Sequence, residues 1–261
     1  MDVKIGCTGW SYKGWVGPFY PKTMPSTDYL KHYSKTFDIT EINSTFYKIP
    51  LPYATKKWFD NTQENFIFTA KMPKQITHDA RLRPGPYLDS FLNSIKPLGS
   101  KMKILVIQLP PSFSFTEAEK NLDKMVNHLP ENYRYAVEGR HPSWFTDPSY
   151  QFLSDRKLCL VWNEVQGVLN PARATTDFVY LRLIGDRSIP EDKFGTIQKD
   201  QKESIHKWAQ RLDEIKNKVS LAVVMANNHF EGFSPHTANK LRLALDLGEI
   251  TWHGKDQVKL F

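Results

Sequence analysis

The sequence predicts a single-domain (β/α)8 barrel of the TIM type over residues 1–261, and three observations carry that expectation. Eight short apolar runs are spaced along the 261 residues, helical patterns lie between several of them, and the runs end in polar or charged residues. Continuous apolar runs suit parallel strands covered on both faces, and strand–helix alternation favours right-handed crossovers that close the sheet on itself. With 40% hydrophobic residues the chain can bury one sizeable core.

The first run, 3–8, opens into a loop where Trp10, Tyr12, Trp15, Phe19 and Tyr20 are interleaved with glycine and proline. Such a loop is expected to lie over the barrel mouth, either as a stacking platform for sugars or bases or as a hydrophobic lid. A helix over 27–37 sets Leu30, Tyr33 and Phe37 on one face before the second run, 38–43, which ends Glu41-Ile42-Asn43. The third run, 66–71, stops at Lys71, and the fourth, 103–108, at Gln108. Thr116-Glu117-Ala118-Glu119 reads as a capping box opening a helix through Leu122, Met125, Val126 and Leu129. The fifth run, 134–138, leads into Glu138-Gly139-Arg140-His141, and the sixth, 158–163, into Asn163-Glu164. Residues 167–176 contain Pro171 and little helical period, so the crossover between strands six and seven is expected to be reduced. The seventh run, 178–183, carries Arg182, and a helix over about 200–216 uses Ile205, Trp208, Leu212 and Ile215. The eighth run, 220–225, ends near Asn227-Asn228, and a last helix covers 237–247.

Composition narrows the function classes. The formal net charge is +7, which favours anionic ligands or nucleic acid, but the lysines are scattered rather than gathered into a tail or stripe. No segment approaches the roughly 20 apolar residues that span a bilayer, so a cytoplasmic protein with no membrane partner is expected. Cys7 and Cys159, the two cysteines, each sit inside an apolar run and read as core filler rather than a disulfide or a thiolate metal site.

In barrels of this type the reacting groups come from the C-terminal ends of several strands, where loops enclose a pocket. Alternation puts Glu41 on the face of Asn43, and Glu138 on that of Arg140. Glu41 and Glu138 are therefore candidates for general acid and base, with environments that would push their pKa values apart. Lys71 is read as a cation for a phosphate or carboxylate, with a Schiff-base amine as the alternative if Arg140 or Arg182 depressed its pKa. Arg140 and Arg182 offer planar forks for an anion, while Asn43, Gln108, Asn227 and Asn228 could read hydroxyls or an oxyanion. Trp10 and Tyr47 are expected to wall the pocket, and His78 and His141 to contact the substrate. The competing structural reading is a salt-bridged polar layer that closes the barrel top. His78, His141 and His229 fall beyond strand ends, but no His-x-His, HExxH or cysteine partner accompanies them, so a divalent metal is disfavoured and no cofactor is required. The absence of Gly-x-Ser-x-Gly, Walker and GxGxxG patterns argues against the corresponding hydrolases, nucleotidases and dehydrogenases.

The chain resembles the YecE-like family, domain of unknown function 72, over nearly its whole length. The resemblance rests on Gly9-Trp10-Ser11-Tyr12, Phe19-Tyr20-Pro21, Glu41-Ile42-Asn43-Ser44-Thr45-Phe46-Tyr47, Lys71 with Thr77-His78, and Gln108-Leu109-Pro110-Pro111-Ser112-Phe113. Glu138-Gly139-Arg140-His141-Pro142-Ser143-Trp144, Tyr180-Leu181-Arg182-Leu183-Ile184-Gly185 and Asn227-Asn228 complete it. It implies a TIM-type barrel and little about activity. Two departures stand out: many members resemble Arg-x-His-Gly at the seventh strand and carry an aspartate near the end of the sixth, where this chain has Ile184 and Asn163-Glu164.

These features point to an enzyme acting on a small anionic or polyhydroxylated, sugar-like substrate by carboxylate acid–base chemistry: hydrolysis, isomerisation or lyase cleavage. Two alternatives stand beside it. One is a metal-dependent phosphodiesterase of endonuclease type acting on nucleic acid, drawn from the basic charge, the aromatic loop and the three histidines. The other is a non-catalytic ligand-binding barrel.

Overall fold

Because both faces of these strands are apolar, the sheet they form separates two cores, one inside the barrel and one outside. The computed structural model describes residues 1–168 and 170–252. Its strands are β1 (Asp2–Thr8), β2 (Ile39–Ile42), β3 (Ile67–Lys71), β4 (Met102–Gln108), β5 (Arg134–Glu138), β6 (Leu158–Leu160), β7 (Trp162–Val165), β8 (Phe178–Gly185) and β9 (Leu221–Ala226). All pair in parallel, in the order β6-β5-β4-β3-β2-β1-β9-β8-β7.

The expected eight positions are present, but the sixth is two strands rather than one. The run 158–163 parts at Val161 into β6, which pairs with β5, and β7, which pairs with β8, so the two ends of the sheet meet in one broken strand. The backbone groups at the break find partners in the following crossover. The Leu160 N–H donates to Thr175 Oγ1 at 2.8 Å, the Thr175 hydroxyl donates to the Leu158 carbonyl at 2.8 Å, and Asn170 Nδ2 donates to the Val161 carbonyl at 2.9 Å. That crossover holds no helix among its described residues, as its composition predicts. Its extended chain supplies the hydrogen bonds that a regular neighbouring strand would have made.

Helices surround the barrel: α1 (Tyr29–Tyr33), α2 (Pro52–Asp60), α3 (Pro86–Ile95), α4 (Phe115–Val126), α5 (Asp147–Asp155), α6 (Lys202–Glu214), α7 (Asn228–Glu231) and α8 (Ser234–Ala244). The helix expected over 27–37 is mostly 3₁₀ and turn, with five residues of α-helix, yet Leu30, Tyr33 and Phe37 are buried as predicted. The capping box of α4 lies two residues earlier than expected. Ser114 accepts from the Glu117 N–H, and the Glu117 carboxylate accepts from the Ser114 N–H at 3.1 Å. Starting there brings Phe115 into line with the other buried residues Ala118, Leu122 and Met125 on one helix face, which a later start would forgo. The last helix likewise begins at Ser234, with a proline in its first turn.

Three rings of the aromatic loop after β1 pack into the outer core. Trp15 stacks on Tyr33 at 6.4 Å and meets Phe233 edge-on at 6.3 Å, while Tyr20 stacks on Tyr29 at 4.0 Å. Trp15, Phe19 and Tyr20 are buried, so these rings offer no stacking platform; they fasten the loop between α1 and α8. The outer core therefore takes most of the large aromatic residues. Inside the barrel, Ile39, Ile104, Ala136, Cys159, Phe178 and Val223 form a smaller apolar core. Both cysteines are buried and free, as expected of core filler. No helix among the described residues is long and apolar enough to cross a membrane.

Gly6 stands where β2 comes closest to β1: a Cβ there would lie 2.1 Å from the Ile39 carbonyl oxygen, so one strand would have to move. Gly6→Ala is expected to cost about 1–3 kcal/mol through this overpacking. The check is a lower urea midpoint with an unchanged denaturant slope.

Candidate active site

Strand alternation decides which polar side chains enter the barrel. Thr69, Lys71, Glu138, Tyr180 and Arg182 share the parity of the inner-core residues, and Glu41 shares that of Ile39, so all six point inward above the apolar floor. Glu41, Glu138 and Thr69 are fully buried, Arg182 is 2% exposed and Lys71 6%.

Arg182 holds the centre. Its Nε and Nη2 donate to the two oxygens of Glu41 at 3.0 and 2.6 Å, and its Nη1 donates to Glu138. The other Glu138 oxygen accepts from Arg140 Nε at 2.8 Å. Tyr180 donates its only hydroxyl proton to Glu41 at 2.9 Å, so the Thr69 hydroxyl, 2.7 Å from the phenol oxygen, is the donor in that pair. Every oxygen of both glutamates is thus occupied by a guanidinium. Burial pushes the Glu138 carboxyl up, but Arg182, Arg140 and Lys71 outweigh it and hold the pKa at about 2. The stability this gives is fully present above the ordinary value of 4.5 and is lost as pH falls through about 2. Arg182 moves the other way: burial disfavours its charge, and Glu138 and Glu41 more than restore it.

Lys71 differs from its neighbours. Its ammonium lies 3.9 Å from the centre of the Phe46 ring and makes no hydrogen bond or ion pair with the described residues. Burial lowers its pKa to about 7, aided by Arg182 and Arg140 and opposed by Glu138 and Glu41. Two carboxylates and two guanidiniums cancel, so the protonation of Lys71 sets the net charge of this cluster.

His78 reaches the same place from a π-helix, Gln75–Asp79, a rare local geometry that is frequent at functional sites. Its ring meets Phe46 edge-on at 5.0 Å, Nδ1 is 2.9 Å from Thr77 Oγ1, and burial with Lys71 and Arg140 depresses its pKa. Asn43, His78 and Arg140 are the half-buried residues at the edge of the cluster. Gln108 ends β4 on the inner face and donates to the Leu109 carbonyl at 2.8 Å. Asn227 donates to Thr8 Oγ1 at 2.8 Å and caps α7 through the His229 N–H.

Four expected site residues have other duties. Trp10 packs edge-on to Trp58 and Phe68 in the outer aromatic layer, because the chain leaves β1 away from the barrel axis. Asn228 is buried outside the barrel, where its oxygen accepts from Trp15 Nε1 at 3.1 Å and from Ser234, tying the first loop to α8. His141 caps a 3₁₀ turn by accepting from the Ser143 N–H. Tyr47 is 69% exposed beside Phe46 and forms no inner wall. Phe46, Thr69 and Tyr180 are the members that reading strand ends alone missed. Strict alternation back from Lys71 and Arg182 would have found Thr69 and Tyr180. Among the described residues no three His, Cys, Asp or Glu side chains are grouped so as to hold a metal ion.

Removing one partner from a buried ion network is costly because the other charge stays behind. Arg182→Met is expected to lose about 3–5 kcal/mol near neutral pH. Without Arg182 the buried carboxylates lose the cation that favours their charged form, so the deficit should be largest at neutral pH and shrink as pH falls below about 4. Urea unfolding of both proteins at the two pH values checks this, and a deficit that grows on acidification would contradict the assignment.

A family model described as "Protein of unknown function DUF72" matches residues 4–257. The UPF0759 protein YecE of Escherichia coli (strain K12) is 32% identical over 144 residues, 55% of this chain and 50% of that protein, so the match spans about half the length of this relative. The UPF0759 protein YunF of Bacillus subtilis (strain 168) is 25% identical over 287 aligned residues, covering 99% of this chain and 100% of the relative. Among solved structures, a DUF72 family protein from Thermotoga maritima MSB8 superposes with a TM-score of 0.81 at 25% identity, over 94% of this chain and 100% of the other. A DUF72 family protein from Enterococcus faecalis V583 shares the fold, with a TM-score of 0.76 at 18% identity, over 97% of this chain and 98% of the other. By a model match over nearly its whole length and a barrel common to these relatives, the chain belongs to the DUF72 family.

Proposed function

We propose that the chain is an enzyme acting on a small anionic substrate at the C-terminal rim of the barrel, with Lys71 as the group that moves the proton. The observation that carries this reading is a buried amine with a pKa of about 7 that has no hydrogen-bonding or ion-pairing partner among the described residues, set beside two arginines. A general base works best when its pKa is close to the working pH, and Lys71 meets that condition. Glu138 does not: at neutral pH its carboxyl is ionised and bound to arginine, so it holds no proton to give. In this scheme Glu41 and Glu138 act as fixed counter-ions that orient Arg182 and Arg140. Arg140, 13% exposed, meets the anion, and the positive cluster stabilises negative charge as Lys71 withdraws a proton. This supports proton-transfer chemistry, as in isomerases, lyases and hydrolases, and moves the acid–base role from the carboxylates to the amine.

The test needs no substrate. NMR titration of the lysine side chains should show one resonance with a midpoint at about 7 that vanishes in Lys71→Met. Because the folded pKa lies below the ordinary 10.5, wild-type stability should rise as pH goes from about 7 towards 10.5, and Lys71→Met should flatten that rise. A Lys71 midpoint near 10 would defeat the proposal.

A further inference from the structure

Asn163 is 2% exposed, and neither its side-chain oxygen nor its nitrogen has a hydrogen-bond partner among the described residues. A buried carboxamide left wholly unpaired costs free energy, so its retention at this place calls for a reason. Its place is specific. In the β7–β8 register Asn163 is level with Arg182, so both side chains leave the sheet on the inner face. Arg182 and Arg140 bind the two oxygens of the same Glu138, so Arg140 belongs to the same inward cluster. Arg140 Nη2, 2.7 Å from a Glu138 oxygen but outside hydrogen-bond geometry, is also buried without a hydrogen-bond partner. Lys71, whose ammonium lies over the Phe46 ring and has no hydrogen-bond partner among the described residues, adds a third polar group.

The three groups differ in what they need. Arg140 and Lys71 are donors and require an acceptor, which an anion supplies. A carboxamide needs a donor and an acceptor together, which a hydroxyl supplies and a bare anion does not. We infer that the site takes a hydroxylated acid, with Arg140 and Lys71 on the carboxylate or phosphate and Asn163 reading an adjacent hydroxyl. This rests on the proposed anion site and makes Asn163 a specificity-determining residue. A site built to pair a hydroxyl discriminates strongly against the analogue that lacks it, because its own polar groups are then stranded.

Calorimetric titration of the full chain with two matched pairs tests this: glycolate against acetate, and glycerol phosphate against methyl phosphate. The hydroxylated member of at least one pair should bind about tenfold tighter or more, and the responding pair tells carboxylate from phosphate. Asn163→Leu, close in size, should abolish the preference while leaving the affinity for acetate or methyl phosphate unchanged. Equal binding within both pairs, or a preference that survives Asn163→Leu, overturns the inference and leaves the anion site standing. A more stable Asn163→Leu with unaltered binding also overturns it, since water alone would then satisfy the amide. If none of the four compounds binds, the anion site fails, and this inference with it.

Discussion

The Arg182 guanidinium, clamped between two fully buried glutamates, is the interaction on which the upper barrel depends. Glu41 comes from β2, Glu138 from β5 and Arg182 from β8, so one cation ties three separated strands across the interior. Neither carboxylate would be tolerated at such depth without it. The planar fork matters as much as the charge: Nε and Nη2 face the two oxygens of Glu41, leaving Nη1 for Glu138. A lysine at this position could not satisfy both acids in one geometry.

Below this layer the interior is apolar, and the contrast explains the chemistry above it. Ile104, Ala136, Val223 and Met225 exclude water beneath the ions, so charges interact there more strongly than at a surface. Arg182 is satisfied by the two glutamates, whereas Lys71 takes the repulsion of both arginines and its own burial without a paired carboxylate among the described residues. The same low-dielectric cluster therefore pushes Glu138 towards a permanent charge and Lys71 towards neutrality. The salt-bridged layer expected as the competing reading of the sequence is present, and it is the device that perturbs the lysine.

Fold kinship has a bounded meaning here. A barrel shared with DUF72 relatives shows where a site would be built, at the C-terminal strand ends, but barrels of this kind host many unrelated reactions. Chemistry at this rim would depend on Lys71, Arg140, Asn163 and their surroundings, and not on the architecture.

Much was legible along the chain. Strand positions followed from apolar runs, the reduced crossover from Pro171 and missing periodicity, and the shared faces of Glu41 with Asn43 and of Glu138 with Arg140 from period-two alternation. These are local properties, governed by backbone geometry and by the cost of exposing apolar surface. The tertiary structure decided what depends on distance across the barrel or on the exit angle of a loop. It split the sixth strand at Val161, where the crossover side chains offered better hydrogen bonds, and it sent Trp10 and Asn228 into the outer layer. It also assigned both glutamates to arginines and left Lys71 and Asn163 unpaired. A sequence records which groups a strand carries to its end; which of them meet, and which is left wanting a partner, depends on closing the sheet into a ring.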